Sequence, residues 1–530
     1  MKRVIIYLVF AIIPLFATAF TGEVDIDGVK YNLSTKMETA EAVGLSNPDY
    51  AGELVIPGTV VYEGRACRVN IVRGFAACKN ITSVKLGEGI STLRKDAFKN
   101  CSNLAVITLP STINSVGAAA FDGTAWLEAQ PDGVVYLESI AYTYKGEMSE
   151  GAAVELREGT TLVADRCFYD QLKLKKVVFP STLKRISHEA FFNCSSLESL
   201  SLHNVELGKL VFAYCSSLKD LSLINVVTNV KEEDTQGDRI SGCFYGCLNI
   251  EHVFIDEKVV GTWVQGCPSL RSVELGPQVE EIGWLAFAYC NGLTDFVVPP
   301  HVKVIGSHAF QGCDNLASLT ISEGVERLDD GAFNSCVSLT KVTIPSSVVS
   351  IGSNTFYRCE SLASVILPEG LSSIGENAFS EIRALKSFVL PEGLETISPN
   401  MFSGCLNLQT VTIPSSVVSI GEYAFNNCRE LLDVYCHAAV PPAVDAAKTF
   451  KNAGIEYVTL HVPQASLESY RTAPTWQDFK NIVAIEGTGT NPTTINQTET
   501  FPDRPVVIQR LGNRVAIVRI GNRIIKMMMK

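Results

Sequence analysis

The chain has no surplus of positive charge. It carries 44 Lys and Arg against 56 Asp and Glu, for a formal net charge of −12. Phosphate backbones are held by basic faces, so nucleic acid is excluded as a main partner. Beyond residue 20 there is no run of 18 apolar residues, so nothing downstream is expected to span a membrane. The seven histidines (188, 203, 252, 301, 308, 437 and 461) are scattered, with neither H-E-x-x-H nor paired C-x2-C motifs, and no metal is expected. A G-x-S-x-G elbow, a P-loop and a dinucleotide glycine fingerprint are all missing. No catalytic residue and no cofactor is therefore expected, and the chain does not read as an enzyme. Sixteen cysteines in 530 residues are too few for a scaffold built on disulfides. Charged residues make up only 19%, and the 46% apolar content marks a folded, core-rich chain.

What is present begins with an address. Lys2 and Arg3 precede an apolar stretch over residues 4–16, and Ala17-Thr18-Ala19 follows as a small-x-small cleavage site. Residues 1–19 read as a secretory signal peptide cleaved near Ala19, which places the mature chain outside the cell or on its outer surface.

An internal repeat organises the rest. Cys267, Cys290, Cys313, Cys336, Cys359, Ile382, Cys405 and Cys428 follow one another at steps of 23 residues. The segment VTIPSSVVSIG at residues 342–352 returns unchanged at 411–421. Earlier anchors at Cys78, Cys101, Thr124, Gln171, Cys194, Cys215 and Cys247 are less regular, and together the anchors count roughly 15 coils.

One unit reads L-x-x-V-x-I-P-x-x-V-x-x-I-G-x-x-A-F-x-x-C-x-x. Alternation at Val342 and Ile344 is a strand pattern of period two. Pro345 ends that strand because it has no N–H to donate. Val348 and Ile351 form a second short extended piece, and Gly352 permits a turn. A-F-x-x-C suits one short helical turn that brings Phe356 and Cys359 inward. A single unit cannot bury its apolar side chains, whereas stacked units can, so the fold class is a β-rich repeat solenoid with short helical turns. A Phe three residues before every anchor from Phe98 to Phe425 except Cys267, which has Val264, is expected to form an internal spine.

This unit resembles the BspA-type leucine-rich repeat of bacterial surface proteins. Flanking pieces resemble the same family as it occurs in Bacteroidetes: residues 24–62, the insertion at 126–146 (WLEAQPDGVVYLESIAYTYKG) and residues 435–485. The organisation expected is an N-terminal cap at 20–66, a solenoid at 67–435 interrupted by an insertion at 126–160, and a C-terminal cap at 436–487. A Thr, Asn and Pro rich linker follows at 488–505. The basic, alternating tail at 506–530 resembles the C-terminal sorting tails of the type IX secretion system. A terminal hairpin or a membrane-associated basic strand are its alternatives.

The cysteine spacing places one thiol per coil on one interior line, where free Cys acts as a small apolar residue. Pairing within Cys243/Cys247 or Cys428/Cys436 stays open. The acidic run at 231–238 reads as a solvated loop, with calcium as the alternative. Acid pairs such as Glu280-Glu281 and Asp329-Asp330 read as solvated turn charges.

The x positions of L-x-x-V-x-I point away from the core. Down the regular stack they give a Ser/Thr-rich strip: Ser318, Thr320, Lys341, Thr343, Ser364, Lys386, Ser387, Thr410 and Thr412. Extended solenoid faces serve as binding surfaces, although Ser and Thr also simply suit strands. The family resemblance implies adhesion to host or cell-surface proteins. The alternative is a glycan-capture or structural accessory scaffold of a surface uptake system, relying on aromatics such as Tyr136 and Tyr142.

Overall fold

The structure is a computed structural model that describes residues 20–228, 242–445, 448–485, 506–510, 515–520 and 523–528. The signal segment at 1–19, the acidic run at 231–238, the linker at 488–505 and Gly512, Asn513, Gly521 and Asn522 lie outside the described residues. The chain is a β-solenoid of about 17 turns with little helix. This slightly exceeds the anchor count, because strands without an anchor cysteine also join the ladders. Contacts divide the chain into two units: residues 1–317 with 327–338, and residues 318–326 with 339–530.

The first unit opens on an antiparallel meander of Thr21–Ile26, Val29–Ser34 and Thr39–Leu45. The last of these strands pairs in parallel with Arg65–Val72, and Gly52–Ile56 pairs in parallel with Ile81–Leu86. The insertion forms a short helix, Ala125–Glu128, and a hairpin of Gly133–Leu137 with Ile140–Lys145. Ile140 and Ala141 then pair with Leu162 and Val163, so the hairpin is stacked into the ladder. Its aromatics face inward: Tyr142 is buried and lies edge-on to Phe121 and Trp126.

Each regular coil is held to the next on three faces. The coil of Phe310 shows the third of them, the A-F-x-x-C turn. His308, Phe310 and Gly312 donate backbone N–H groups to Asp330, Ala332 and Asn334 of the following coil at 2.8–2.9 Å. Ala309, Gln311 and Cys313 donate back three residues, to Gly306, His308 and Phe310. Left-handed residues at both ends, His308 (φ 57°) and Gly312 (φ 65°), stop the turn from propagating as a helix. Phe310 and Cys313 are fully buried, as their spacing requires. The Phe rings stack along the first unit, Phe287 on Phe310 at 5.4 Å and Phe310 on Phe333 at 5.3 Å. Such pairs add about 0.5–1.5 kcal/mol beyond the area they bury.

All sixteen cysteines are free thiols, and fifteen are buried; Cys78 is half-exposed. Cys243, Cys247, Cys428 and Cys436 are among the buried free ones, so neither disulfide left open by the sequence forms. The anchor thiol does more than fill space. Cys313 Sγ lies 3.1 Å from the carbonyl of Phe287, 26 residues back, and Cys101, Cys194, Cys290, Cys336, Cys405 and Cys428 repeat that tie at 3.0–3.2 Å. Each of these seven anchors is thus a small donor that fastens its coil to a carbonyl of the coil before it. Ile382 fills the same buried place without a donor.

In the second unit one ladder joins Ser318–Ile321, Lys341–Thr343 and Ser364–Ile366, and a separate one joins Ser387–Val389, Thr410–Ile413, Asp433–Cys436, Thr459–Val462 and Asn481–Ala484. Leu467–Thr472 forms a short helix, and Tyr470, Trp476 and Phe479 are buried beneath the last coil. The tail strands Val506–Arg510, Val515–Ile520 and Arg523–Met528 form an antiparallel sheet of their own.

Candidate interaction surface

The strip is set by strand alternation in the second unit. Val342, Val365, Phe388, Val411, Val434 and Leu460 point inward and are buried. Ser318, Thr320, Lys341, Thr343, Lys386 and Ser387 are exposed, while Ser364, Thr410 and Thr412 are half-buried. Register brings them together in rows. Ser318 sits opposite Lys341 and Lys341 opposite Ser364. Ser387 sits opposite Thr410 and Thr410 opposite Asp433, with Thr412 beside both Val389 and Tyr435.

Periodicity alone did not reveal how far these rows run. Asp433 is followed by Thr459 and Asn481, and Tyr435 by His461. His461 Nε2 and Asp433 Oδ1 are 2.8 Å apart, and the His461 ring stacks on Tyr435 with centroids 4.2 Å apart. The alternating sequence of residues 459–462 carried that signal, but its cross-strand partners cannot be read without the register.

The chemistry offered by these rows is hydroxyls, two amines, a carboxylate and an imidazole on a flat ladder. The acid pairs sit in surface ion pairs, Glu280 with Lys258 at 3.2 Å and Asp329 with Arg327 at 2.5 Å. In the first unit Glu257 is buried and its carboxyl is pushed up to about 7 by that burial, against hydrogen bonds from the Trp263 indole N–H and the Gly261 backbone N–H. Asp256 beside it accepts from the Gln278 backbone and side-chain nitrogens at 2.8 and 3.2 Å. These two carboxyls therefore serve packing rather than facing each other across a cleft. A cavity of about 310 Å³, lined in part by Phe179, Leu183, Ser201 and His203, lies in the first unit. Among the described residues no cluster of His, Cys, Asp and Glu is arranged to hold a metal, and no helix is long and apolar enough to cross a membrane.

The glycan alternative relied on exposed aromatics. Tyr142 is not one of them, being 2% exposed. Tyr136 is half-buried, with the Arg157 guanidinium 4.1 Å from its ring centroid and its hydroxyl accepting from Arg157 N.

Comparison with known proteins follows the same line. The family model described as "BspA type Leucine rich repeat region (6 copies)" matches residues 72–151, 139–259, 240–363, 303–432 and 349–470. Among solved structures the chain is similar to a leucine-rich repeat protein from Bacteroides ovatus, at 23% identity over 87% of this chain and 100% of that one, with a TM-score of 0.45. It is similar to a leucine rich cell surface protein from Faecalibacterium prausnitzii, at 22% identity over 78% and 94%, TM-score 0.31. It is also similar to a T. pallidum leucine rich repeat protein, at 31% identity over 34% and 83%, TM-score 0.28. No curated protein matches. The family model spans far more than half of the chain, and no enzyme family is indicated; the chain belongs to the BspA-type leucine-rich repeat family.

Proposed function

We propose that this protein is exported and binds other proteins, at the cell surface or once secreted, through the outward rows of the second unit, in an adhesive role without covalent chemistry. The observation that carries the proposal is the register of Ser318, Lys341 and Ser364, and of Ser387, Thr410 and Asp433. It holds donors and acceptors in rigid rows outside the core. A broad flat ladder suits multipoint contact, for which specific protein interfaces bury about 1,200–2,000 Å² in total. The signal segment and the sorting-like tail support export, and the partners expected are host or cell-surface proteins. The glycan-capture reading is the weaker one, since Tyr142 is buried.

The test is binding of the purified chain to extracellular matrix and cell-surface proteins, with glycans alongside. Lys341→Glu, Thr343→Glu and Thr410→Glu are expected to abolish saturable protein binding while the circular dichroism spectrum stays unchanged. Binding that survives all three substitutions would sink the proposal.

A further inference from the structure

Four regular coils in the second unit should stack alike, and one junction does not. Lys341–Thr343 pairs with Ser364–Ile366, and Ser350–Ile351 with Ser373–Ile374. Ser387–Val389 pairs with Thr410–Ile413, and Thr396–Ile397 with Ser419–Ile420. Between these pairs both ladders stop: Ser364–Ile366 and Ser387–Val389 lie in different sheets, as do Ser373–Ile374 and Thr396–Ile397.

The sequence supplies a cause on each strand face. Ser398 stands where neighbouring coils have Gly375 and Gly421. Those glycines donate N–H to Ile351 and Ile397 of the preceding coil at 2.8 Å. A Cβ at Gly375 would come within 2.3 Å of Ser353 N, and one at Gly421 within 2.5 Å of Pro399 N. A Cβ alone does not open the ladder, since Asp329 holds the same place in the first unit, keeps its N–H on Ile305 O at 2.8 Å and leaves Arg327–Leu328 paired with Val304–Ile305. At Ser398 it is the hydroxyl that takes the Ile374 carbonyl, at 2.5 Å. On the other face Phe388 occupies the inward position that is Val in the coils beside it, and its ring lies 4.8 Å from both Phe379 and Phe402. Those two rings are 6.0 Å apart, against 5.6 Å for Phe356 and Phe379 and 5.4 Å for Phe402 and Phe425.

The first unit contains the single-cause case. Phe296 holds the same inward position, and its strand Asp295–Val298 is not in the sheet of Ser272–Leu275. With Gly306 at the close approach, Glu281–Ile282 still pairs with Val304–Ile305. One wedge thus accompanies one open ladder, whereas a wedge and a hydroxyl that takes the ladder carbonyl accompany two.

A further tie is missing at the same junction. Glu323 accepts from Ser346 N and Oγ one coil on, at 3.1 and 3.0 Å, and Glu392 does so from Ser415 at the same distances. Twenty-three residues after Glu369 stands Glu392, a second carboxylate in place of the serine. The turn face remains fastened by backbone bonds: Phe379 N donates to Met401 O at 3.1 Å, Glu381 N to Ser403 O at 2.8 Å, and Cys405 Sγ to Phe379 O at 3.1 Å.

We propose that this junction is a joint, pivoting on the turn face, at which the segment ending in Ser373–Ile374 bends against the segment beginning at Ser387. It divides the strip into two plates, one with Ser318, Lys341 and Ser364 and the other with Ser387, Thr410 and Thr412. Their mutual angle adjusts to a partner, whatever that partner is. Backbone amides outside a ladder open more readily than those within one.

Hydrogen exchange on the full chain tests this. Amides of residues 387–398 are expected to exchange at least about tenfold faster than their equivalents at 410–421. Ser398→Gly should slow exchange at 387–398 and leave 410–421 unchanged, whereas Gly421→Ser should speed exchange at 410–421. Equal protection of the two segments in the unaltered chain would overturn the joint. Unchanged exchange in Ser398→Gly would overturn the role of the Ser398 hydroxyl, and this variant only removes a side chain, so it does not depend on tolerance of Gly421→Ser.

Discussion

At the scale of the residue, two side chains make the repeat: the Phe that stacks and the Cys that both fills and donates. Phe333 is fully buried against Phe310. Phe333→Ala is expected to cost about 3–5 kcal/mol in a denaturant titration, as truncation of a buried Phe does elsewhere. The thiols give a second test. Burial pushes Cys290 and Cys405 up to about 12 and Cys101 up to about 11, so at neutral pH they are neither ionised nor reachable. A thiol reagent at pH 8 is expected to label the native chain at Cys78 alone among the sixteen, and all sixteen after denaturation. Native labelling of Cys290 or Cys313 would contradict the interior ladder. The inward place of Phe and Cys was legible from the 23-residue step. The thiol's bond to a carbonyl 26 residues back was not, because a spacing gives position and not the partner across the stack.

At the scale of the element, coil order is written in polar pairs. The carboxyl of Glu323 is held below its usual range, first by the Ser346 backbone N–H. A carboxyl lowered on folding contributes stability that is present at neutral pH and lost as pH falls through its folded value. Glu323→Gln should therefore lower stability at pH 7 and matter less in acid, measured by thermal melting at the two pH values. Glu257 works in the opposite sense. Its folded value of about 7 lies above the ordinary 4.5, so its contribution declines as pH rises between those values and is flat beyond. The difference in unfolding free energy between Glu257→Gln and the unaltered chain should grow across that window by up to about 3 kcal/mol, in favour of the variant. A difference independent of pH would show that the carboxyl is not neutral when buried. Strands and turns were legible here because period two and the prolines are local signals. The stacked hairpin of the insertion was not, since Ile140 and Ala141 meet Leu162 and Val163 only once the coil has closed.

At the scale of the whole molecule, the fold follows from repetition, and family membership follows from the same motif. Function is less legible. The strip residues were found because alternation tells inside from outside, yet the extension from Tyr435 to His461 depends on register in the last coils. A net charge of −12 together with a mixed, hydroxyl-rich strip favours a partner recognised by many polar contacts over one held by charge alone.

The most direct measurement is a saturation binding isotherm of the purified chain on immobilised matrix and cell-surface proteins, repeated with Lys341→Glu, Thr343→Glu and Thr410→Glu. The account predicts a saturable isotherm that is lost in the triple variant, with melting temperature preserved. An isotherm identical in the two proteins, or saturable binding confined to glycans, would contradict it.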